Sequence, residues 1–506
     1  MLPNPRDLPS SMVVFLIALP LSMGIAIASG VPPALGLVTA IIGGLVVGLL
    51  GGAHLQISGP SAGLAVLVAE MVGEHGLETF AFIVMAAGAL QLLSGALKLG
   101  RLFQAVSPAV VRGMLSGIGI LIIASQFHVM IDDSIHESGL RNIVMIPAGV
   151  LKALANVSDT QHLEAAMIGV STLLVTAGWD RFKSGQLKML PGPLLGVVLG
   201  AGLAAAFGLP IRYVVVPETL LELVQLPSLS VLGHLDAPIL FDAVGLAFVA
   251  SAETLLCATA VAGMHDGQRT GYDRELAAQG MGNMLCGLVG ALPMTGVISR
   301  STANVQASAA TRWSAVLQSV WIGLVVILFP AVLALVPMSS LAAVLVYIGF
   351  KLVNVREVRK IATYGRPVIL IFVCTVLGVV MIELLTGIII GLLLSAAVLV
   401  YRMSHVEFYL EDSDDRLTLH LIGAATVLAL PRLAEAFEAL PPGRKVHIHF
   451  DDLTFIDHSC LDRISSFTQA YERNGGTVVI EWDALVKHYE FGPQQVTEEV
   501  MRKHAQ

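Results

Sequence analysis

Charge is scarce in this chain. Of 506 residues only 13% are Asp, Glu, Lys or Arg, against 55% hydrophobic, and the mean hydropathy is +0.80. Apolar runs of membrane length recur from Met12 to Val400 with brief polar interruptions, exposing more apolar surface than a soluble domain of this length needs to hide. A polytopic membrane protein follows. Positive charge is scarcer still: 29 Lys and Arg against 37 Asp and Glu leave a net charge of −8, so no basic face remains to neutralise phosphates and a nucleic-acid partner is excluded. The cysteines Cys257, Cys286, Cys374 and Cys460 stand far apart, with neither metal-ligand nor redox spacing, and read as reduced packing residues. The histidines show no metal spacing either, and no Gly-rich loop ends in a Walker lysine, so nucleotide-driven chemistry is excluded. No nucleophile, base and orienting group occur at usable spacing, which leaves an enzyme without support and no cofactor expected. Ahead of the first hydrophobic segment stands only Arg6 and no small-residue cleavage site, so that segment is expected to be a retained span and not a signal peptide.

About fourteen membrane elements are expected, roughly at 11–29, 34–50, 60–72, 80–97, 105–127, 163–180, 190–208, 239–263, 275–292, 299–311, 313–336, 339–354, 367–384 and 386–402. Those at 60–72 and 299–311 are too short to cross comfortably, and each is third in a set of seven. An odd number per half forces the halves into opposite orientation, so two inverted repeats, about 8–210 and 237–403, are the natural reading. The apolar stretch 142–157 is short enough for a surface or re-entrant helix. Lys98, Arg101, Arg181, Arg269, Arg274, Lys351, Arg359 and Arg366 fall on one side of this scheme, and Glu70, Glu74, Glu78, Asp132 and Asp133 on the other. The positive-inside rule then puts both termini in the cytoplasm, with the protein multi-pass in the cell membrane. After Arg402 the composition turns soluble, and residues 405–506 alternate strand and helix as a small α/β domain does: strands at 416–422, 445–450 and 477–480, helices at 430–440 and 460–474.

The most informative segments are two breakers, Gln56-Ile57-Ser58-Gly59-Pro60-Ser61-Ala62-Gly63 and Pro293-Met294-Thr295-Gly296-Val297-Ile298-Ser299-Arg300-Ser301-Thr302, each directly ahead of a short element. Irregular backbone at membrane depth is tolerated only where it lines a cavity, and a half-helix that starts there aims its unpaired N–H groups and positive dipole end into it. Paired broken helices in two halves of a chain point to the substrate site of a transporter, here one for an anion. Ser61 and Ala62 on one side, and Ile298, Ser299 and Arg300 on the other, would supply the N–H groups. Arg300 would add a full cation, or else snorkel to a surface or pair with an acid. Ser58, Thr295 and Ser299 either bond substrate oxygens or cap helices, and Gln56 is a site neighbour. Pro20 frees a backbone carbonyl in the first span, and Leu19 to Met23, with the hydroxyls of Ser22 and Ser29, fall in the same region. Glu253 lies well inside the eighth span and must be protonated, paired or bound to a cation.

These residues resemble the sulfate permease (SulP) family of anion transporters. The resemblance spans essentially the whole chain and rests on Asp7-Leu8-Pro9, Gly30-Val31-Pro32-Pro33-Ala34-Leu35-Gly36-Leu37, Ile57-Ser58-Gly59-Pro60, Glu275-Leu276-Ala277-Ala278-Gln279-Gly280-Met281-Gly282-Asn283, Ser299-Arg300-Ser301 and Phe455-Ile456-Asp457-His458-Ser459-Cys460-Leu461. The last looks like the centre of a STAS domain, the cytoplasmic module of that family. The resemblance implies seven-plus-seven inverted repeats divided into a core domain with two half-helices and a gate domain, working by elevator-type alternating access as a homodimer. It implies that Arg300 lines the anion site and that Glu253 couples transport, taking up H⁺ or, with Thr254 and Thr295, ligating Na⁺; a permanent Glu253–Arg300 salt bridge is the structural alternative. Ser459 matches the phosphorylated serine of bacterial anti-sigma-factor antagonists. Here Cys460 replaces the glycine that usually follows it, so a helix N-cap is the plainer role. The expected activity is secondary-active transport of bicarbonate or sulfate. A chloride exchanger, a dicarboxylate carrier, a nucleobase carrier of similar architecture, and a membrane-tethered signalling protein with a cytoplasmic partner for its STAS tail are the other readings.

Overall fold

The computed structural model describes residues 4–480 apart from 102–106, 137, 156–160, 183, 185–186, 188–189, 216–235, 266–268, 355–357, 360, 362, 405, 414–415 and 451–452. The end of the expected α/β domain, 481–506, lies outside the described residues. The chain divides into two units, Met1–Leu392 and Leu393–Gln506.

Glycine and proline punctuate the membrane unit. Helix α1 (Asp7–Ala28) ends where Gly30 turns to φ 71, and α2 (Pro33–Ile42) opens on a proline whose missing N–H costs nothing in a first turn. A π-helical turn, Gly43–Val47, joins α2 to α3 (Gly48–Leu50), and the whole run Pro33–Leu50 is apolar and of crossing length. The breaker then forms strand β1 (Ser58–Pro60), which leads into α4 (Ala62–Ala96). Inside α4 the backbone leaves helical geometry at Gly76 (φ 75, ψ 168), so 62–75 is the short third element and 77–96 the fourth. Helices α5 (Pro108–Met130), α6 (Gly139–Val144), α7 (Ile146–Ala155), α8 (Gln161–Phe182) and α9 (Gly192–Phe207) complete the first half. The apolar stretch after Asn142 is thus a pair of short helices.

The second half repeats the order. It runs α10 (Ala237–Ala262), α11 (Tyr272–Leu288), β2 (Met294–Gly296), α12 (Ile298–Gln306), α13 (Trp313–Leu328), α14 (Pro330–Leu333), α15 (Met338–Val353), α16 (Arg366–Met381) and α17 (Leu384–Ser404). Pro330 divides what the sequence presents as one span into α13 and α14, because proline lacks the donor a helix interior needs. Among the described residues six helices are long and apolar enough to cross a membrane, and four shorter apolar ones accompany them. Packing sorts them into two clusters, each built from both halves: α4 lies against α10 and α11, and α1 against α2, α12 and α13, while α5 packs on α15 and α16, and α8 on α9 and α15. These are the core and gate of an inverted-repeat fold. Asp7 fastens the core across the chain: Asn4 N–H (3.0 Å), Ala310 N–H (2.9 Å), Thr311 N–H (2.9 Å) and the Thr311 hydroxyl (2.6 Å) all donate to its carboxylate.

The C-terminal unit is an α/β layer. Strand β3 (Val406–Ser413) pairs antiparallel with β4 (Arg416–Ala425); β4 runs parallel to β5 (Lys445–His449) and β6 (Leu453–Ile456), and β5 to β7 (Thr477–Ile480). Leu417, Leu419, Leu421, Val446 and Ile448, alternating along the strands, are buried with Leu433 and Phe437 of α18 (Leu430–Glu438) and Ile464 of α19 (His458–Arg473). This architecture is compatible with a STAS domain. One expectation is corrected: the N-cap of α19 is Asp457, whose carboxylate accepts the Cys460 N–H at 2.8 Å, and not Ser459. Ser459 lies inside the first turn, exposed, because a cap must precede the helix and bond back into it.

Candidate anion site

Strands β1 and β2 pair antiparallel, Ser58 opposite Gly296, Gly59 opposite Thr295 and Pro60 opposite Met294. Each leads directly into a helix, with Ser61 as N-cap of α4 and Val297 as N-cap of α12, so the antiparallel strands bring two helix N-termini to one place. In α4 the Ser61 side chain accepts the Gly63 N–H at 3.1 Å and the Ser61 carbonyl accepts Leu64 N–H at 3.2 Å, which leaves the Ala62 N–H as the free donor of that turn. In α12 the first intrahelical bond is Ser301 N–H to Val297 at 2.9 Å; the N–H groups of Ile298, Ser299 and Arg300 precede it and have no carbonyl one turn back. Ile298 and Ser299 are exposed at this point, so the helix start opens into space.

Arg300, one residue further along α12, is fully buried. Its Nη2 donates to the Ser22 hydroxyl of α1 at 3.0 Å, while Nε and Nη1 are buried without a partner among the described residues. A Cβ added at Gly59 would sit 2.7 Å from Nη1, so the guanidinium lies on the bare backbone of β1. A buried guanidinium with two unpaired nitrogens is costly unless something negative completes it.

Glu253 of α10 is partly buried and takes two hydroxyl donors on one oxygen, Ser61 Oγ at 2.9 Å and Thr295 Oγ1 at 3.1 Å. It therefore ties the N-cap of one half-helix to the strand before the other. The alternative of a Glu253–Arg300 salt bridge is not what forms: the carboxylate is occupied by hydroxyls and the guanidinium bonds Ser22. The close approach relies on glycine: a Cβ at Gly63 would overlap Glu253 Oε1, and the carboxylate would have to leave its place. Thr254 is not brought to this carboxylate; its hydroxyl accepts the Gly296 N–H at 3.2 Å and anchors β2. Gln56 lies behind the strands, donating to Glu275 at 3.0 Å.

Ser61 was expected for its backbone and contributes its side chain. The roles of Ser22 under Arg300 and of Gly59 and Gly63 as clearances depend on tertiary contacts; the sequence's signal for Ser22 is a hydroxyl two residues after Pro20 inside a span.

Two half-helices meeting at a paired strand in the middle of a multi-pass helical unit define a membrane transporter with a central site for a charged solute. The chain belongs to the sulfate permease family, whose profile matches residues 5–375, and is an anion transporter of that family. It is 29% identical over 410 residues to YvdB of Bacillus subtilis, covering 79% of this chain and 74% of that one. It is 25% identical over 438 residues to the bicarbonate transporter BicA of Picosynechococcus sp., covering 82% and 74%. The fold matches that of the murine Solute Carrier 26 family member A9 anion transporter with a TM-score of 0.77 at 15% identity, over 96% of this chain and 87% of that one. A family of transporters fits the absence of enzyme motifs from the sequence.

Proposed function

We propose that this protein is a secondary-active carrier of a small inorganic anion, bicarbonate or sulfate, bound between the starts of α4 and α12. The buried Arg300 guanidinium, with Nε and Nη1 unpaired beside two helix N-termini, carries this reading. Ala62, Ile298 and Ser299 N–H groups offer hydrogen bonds along the helix dipoles, and Arg300 supplies the full charge. The family name and the name of BicA supply sulfate and bicarbonate as substrates.

Glu253 gives the site its coupling logic. An ionised carboxylate between the two half-helix starts repels an entering anion, so neutralising it raises anion affinity. By linkage the anion raises cation affinity equally. A proton would do this by direct binding. Na⁺ would find Glu253, Ser61 and Thr295 oxygens already converged, hard ligands of the kind such cations take. Core helices carrying the whole site would move as a body against the gate, in an elevator-type cycle within a homodimer. Both termini and the STAS-like unit lie on the cytoplasmic side by loop charge, and that unit serves a cytoplasmic partner.

Uptake of labelled bicarbonate and sulfate into proteoliposomes, with an inward Na⁺ gradient, an inward H⁺ gradient or neither, tests the reading. Saturable uptake of one anion that rises with one gradient supports it. Gradient-independent chloride exchange, or no flux of either anion, would overturn it.

A further inference from the structure

Beyond the Gln56–Glu275 bond the anion site draws on nothing of the sequence Glu275–Asn283, yet three of its residues are polar, fully buried and spaced by four: Glu275, Gln279 and Asn283. That spacing puts them on one face of α11. We propose that this face is a ruler that sets the register and separation of the two half-helix starts, with Glu275, Gln279 and Asn283 as positioning residues for anion binding; this rests on the anion site proposed above.

Each residue grips a different piece of the breakers. Glu275 Oε2 accepts the N–H groups of Gly52 (2.8 Å) and Ala53 (2.9 Å), and its Oε1 accepts Gln56 Nε2 (3.0 Å) and Gln279 Nε2 (3.2 Å). Four donors on one carboxyl suit the acceptor-only ionised form, held in the first turn of α11 where the helix dipole favours it. One turn on, Gln279 Nε2 also reaches the Ser58 hydroxyl of β1 at 2.5 Å. One turn further, Asn283 holds both backbone groups of Met294 in β2, accepting its N–H at 2.7 Å and donating to its carbonyl at 3.1 Å. Asn283 Nδ2 donates again to Gln91 at 2.7 Å, and Gln91 to Ser251 at 3.2 Å, two residues before Glu253 on α10.

A ladder of three residue pairs is too short to fix its own register, and a slip by one would turn every side chain to the wrong face. The amide of Asn283 acts as a further strand edge that only one register satisfies. Because α11 touches the lead-in of both half-helices, about 12 Å of rigid helix between Glu275 and Asn283 fixes both ends of the binding site at once. Anion affinity and size preference should therefore depend on residues that never meet the anion.

The test compares Asn283→Ala and Gln279→Leu with Thr172→Ala, which removes a buried gate hydroxyl bonded to Ser340 at 3.1 Å and distant in sequence from the breakers. KM and Vmax for sulfate, bicarbonate and chloride are measured in proteoliposomes, with thermal melting of each purified protein and Arg300→Ala run alongside. The expected result is a KM raised about tenfold or more in Asn283→Ala, the loss of a few buried hydrogen bonds. The ratio of KM values among the anions should change and Vmax should move less than KM. Gln279→Leu should show the same pattern more weakly, and it keeps the test open if Asn283→Ala does not fold. Thr172→Ala should leave KM and the ratios unchanged. Folded Asn283→Ala and Gln279→Leu proteins with wild-type KM values and ratios, or equal KM shifts in Thr172→Ala, would overturn the ruler. Unchanged binding in Arg300→Ala would instead overturn the anion site itself, whatever Asn283→Ala and Gln279→Leu do.

Discussion

Replacing Arg300 by methionine should make the empty protein more stable and the anion-bound one weaker, and the opposite signs make the experiment decisive. Nε and Nη1 are free in the described structure, so an oxyanion gains two charge-assisted hydrogen bonds, about 3 kcal/mol together at about 1.5 kcal/mol each. At about 1.4 kcal/mol per factor of ten, Arg300→Met loses roughly a hundredfold in affinity. Arg300→Lys keeps the charge without the fork and should lie between the two. In the empty protein the same change removes an uncompensated buried charge, a substitution that is neutral or stabilising by about 1–4 kcal/mol. Thermal unfolding of purified protein over a titration of sulfate and bicarbonate reads both effects. At an anion concentration of about 100 Kd the wild type gains about 2.7 kcal/mol, and the methionine variant at the same concentration gains only about 0.4 kcal/mol. A variant stabilised by anion over the wild-type concentration range would refute the site. An empty variant that is markedly less stable than wild type would show that the guanidinium is structural.

Glu253→Gln should abolish gradient-driven accumulation while anion exchange survives; normal concentrative uptake by this variant would remove Glu253 from the coupling step. Gly63→Ala forces the Glu253 carboxylate out of its place, since the new Cβ would overlap Oε1, and should mimic the uncoupled phenotype with anion affinity changed less than about tenfold, one hydrogen bond's worth; wild-type coupling in a folded Gly63→Ala protein counts against the close approach. Asp7→Asn turns an acceptor of four donors into a mixed group and should cost about 2–3 kcal/mol of stability, read by melting with KM unchanged. Burial and the neighbouring Asp457 carboxylate push the Cys460 thiol up to about 12, so the thiolate is scarce at about pH 8 and native protein there should react with maleimide at Cys460 far more slowly than denatured protein; equal labelling rates in both states would contradict this.

The membrane segments, their order and the two short third elements were legible because length and hydropathy are local properties. The break between the expected elements 60–72 and 80–97 and the breaker glycines were legible for the same reason, and the structure puts that break at Gly76. What was hidden is partnership. Glu253 could be assigned a proton, a cation or Arg300 from sequence, and the structure gives it Ser61 and Thr295, from segments on either side of it. Ser459 lost the capping role to Asp457 because a two-residue difference in where the helix starts decides which side chain precedes the first turn. The polar repeat at Glu275, Gln279 and Asn283 was visible as spacing, but that it reaches both breakers depends on how α11 lies against α4. The π-turn at Gly43–Val47 leaves no mark in an apolar run, since it changes the hydrogen-bond pattern and not the residue types.

The three-residue pairing of β1 with β2 also bears on how the protein is made. The first strand enters the membrane with residues 58–60, but its partner is at 294–296. At about 5–20 residues per second of synthesis, tens of seconds separate them. During that interval the backbone groups of Ser58 and Gly59 have no strand to pair with in a setting that supplies little water. The half-built carrier must either hold its first breaker at the interface or borrow donors and acceptors from the insertion machinery. Completion of the proposed anion site and relief of that exposed edge are then the same late event in biogenesis.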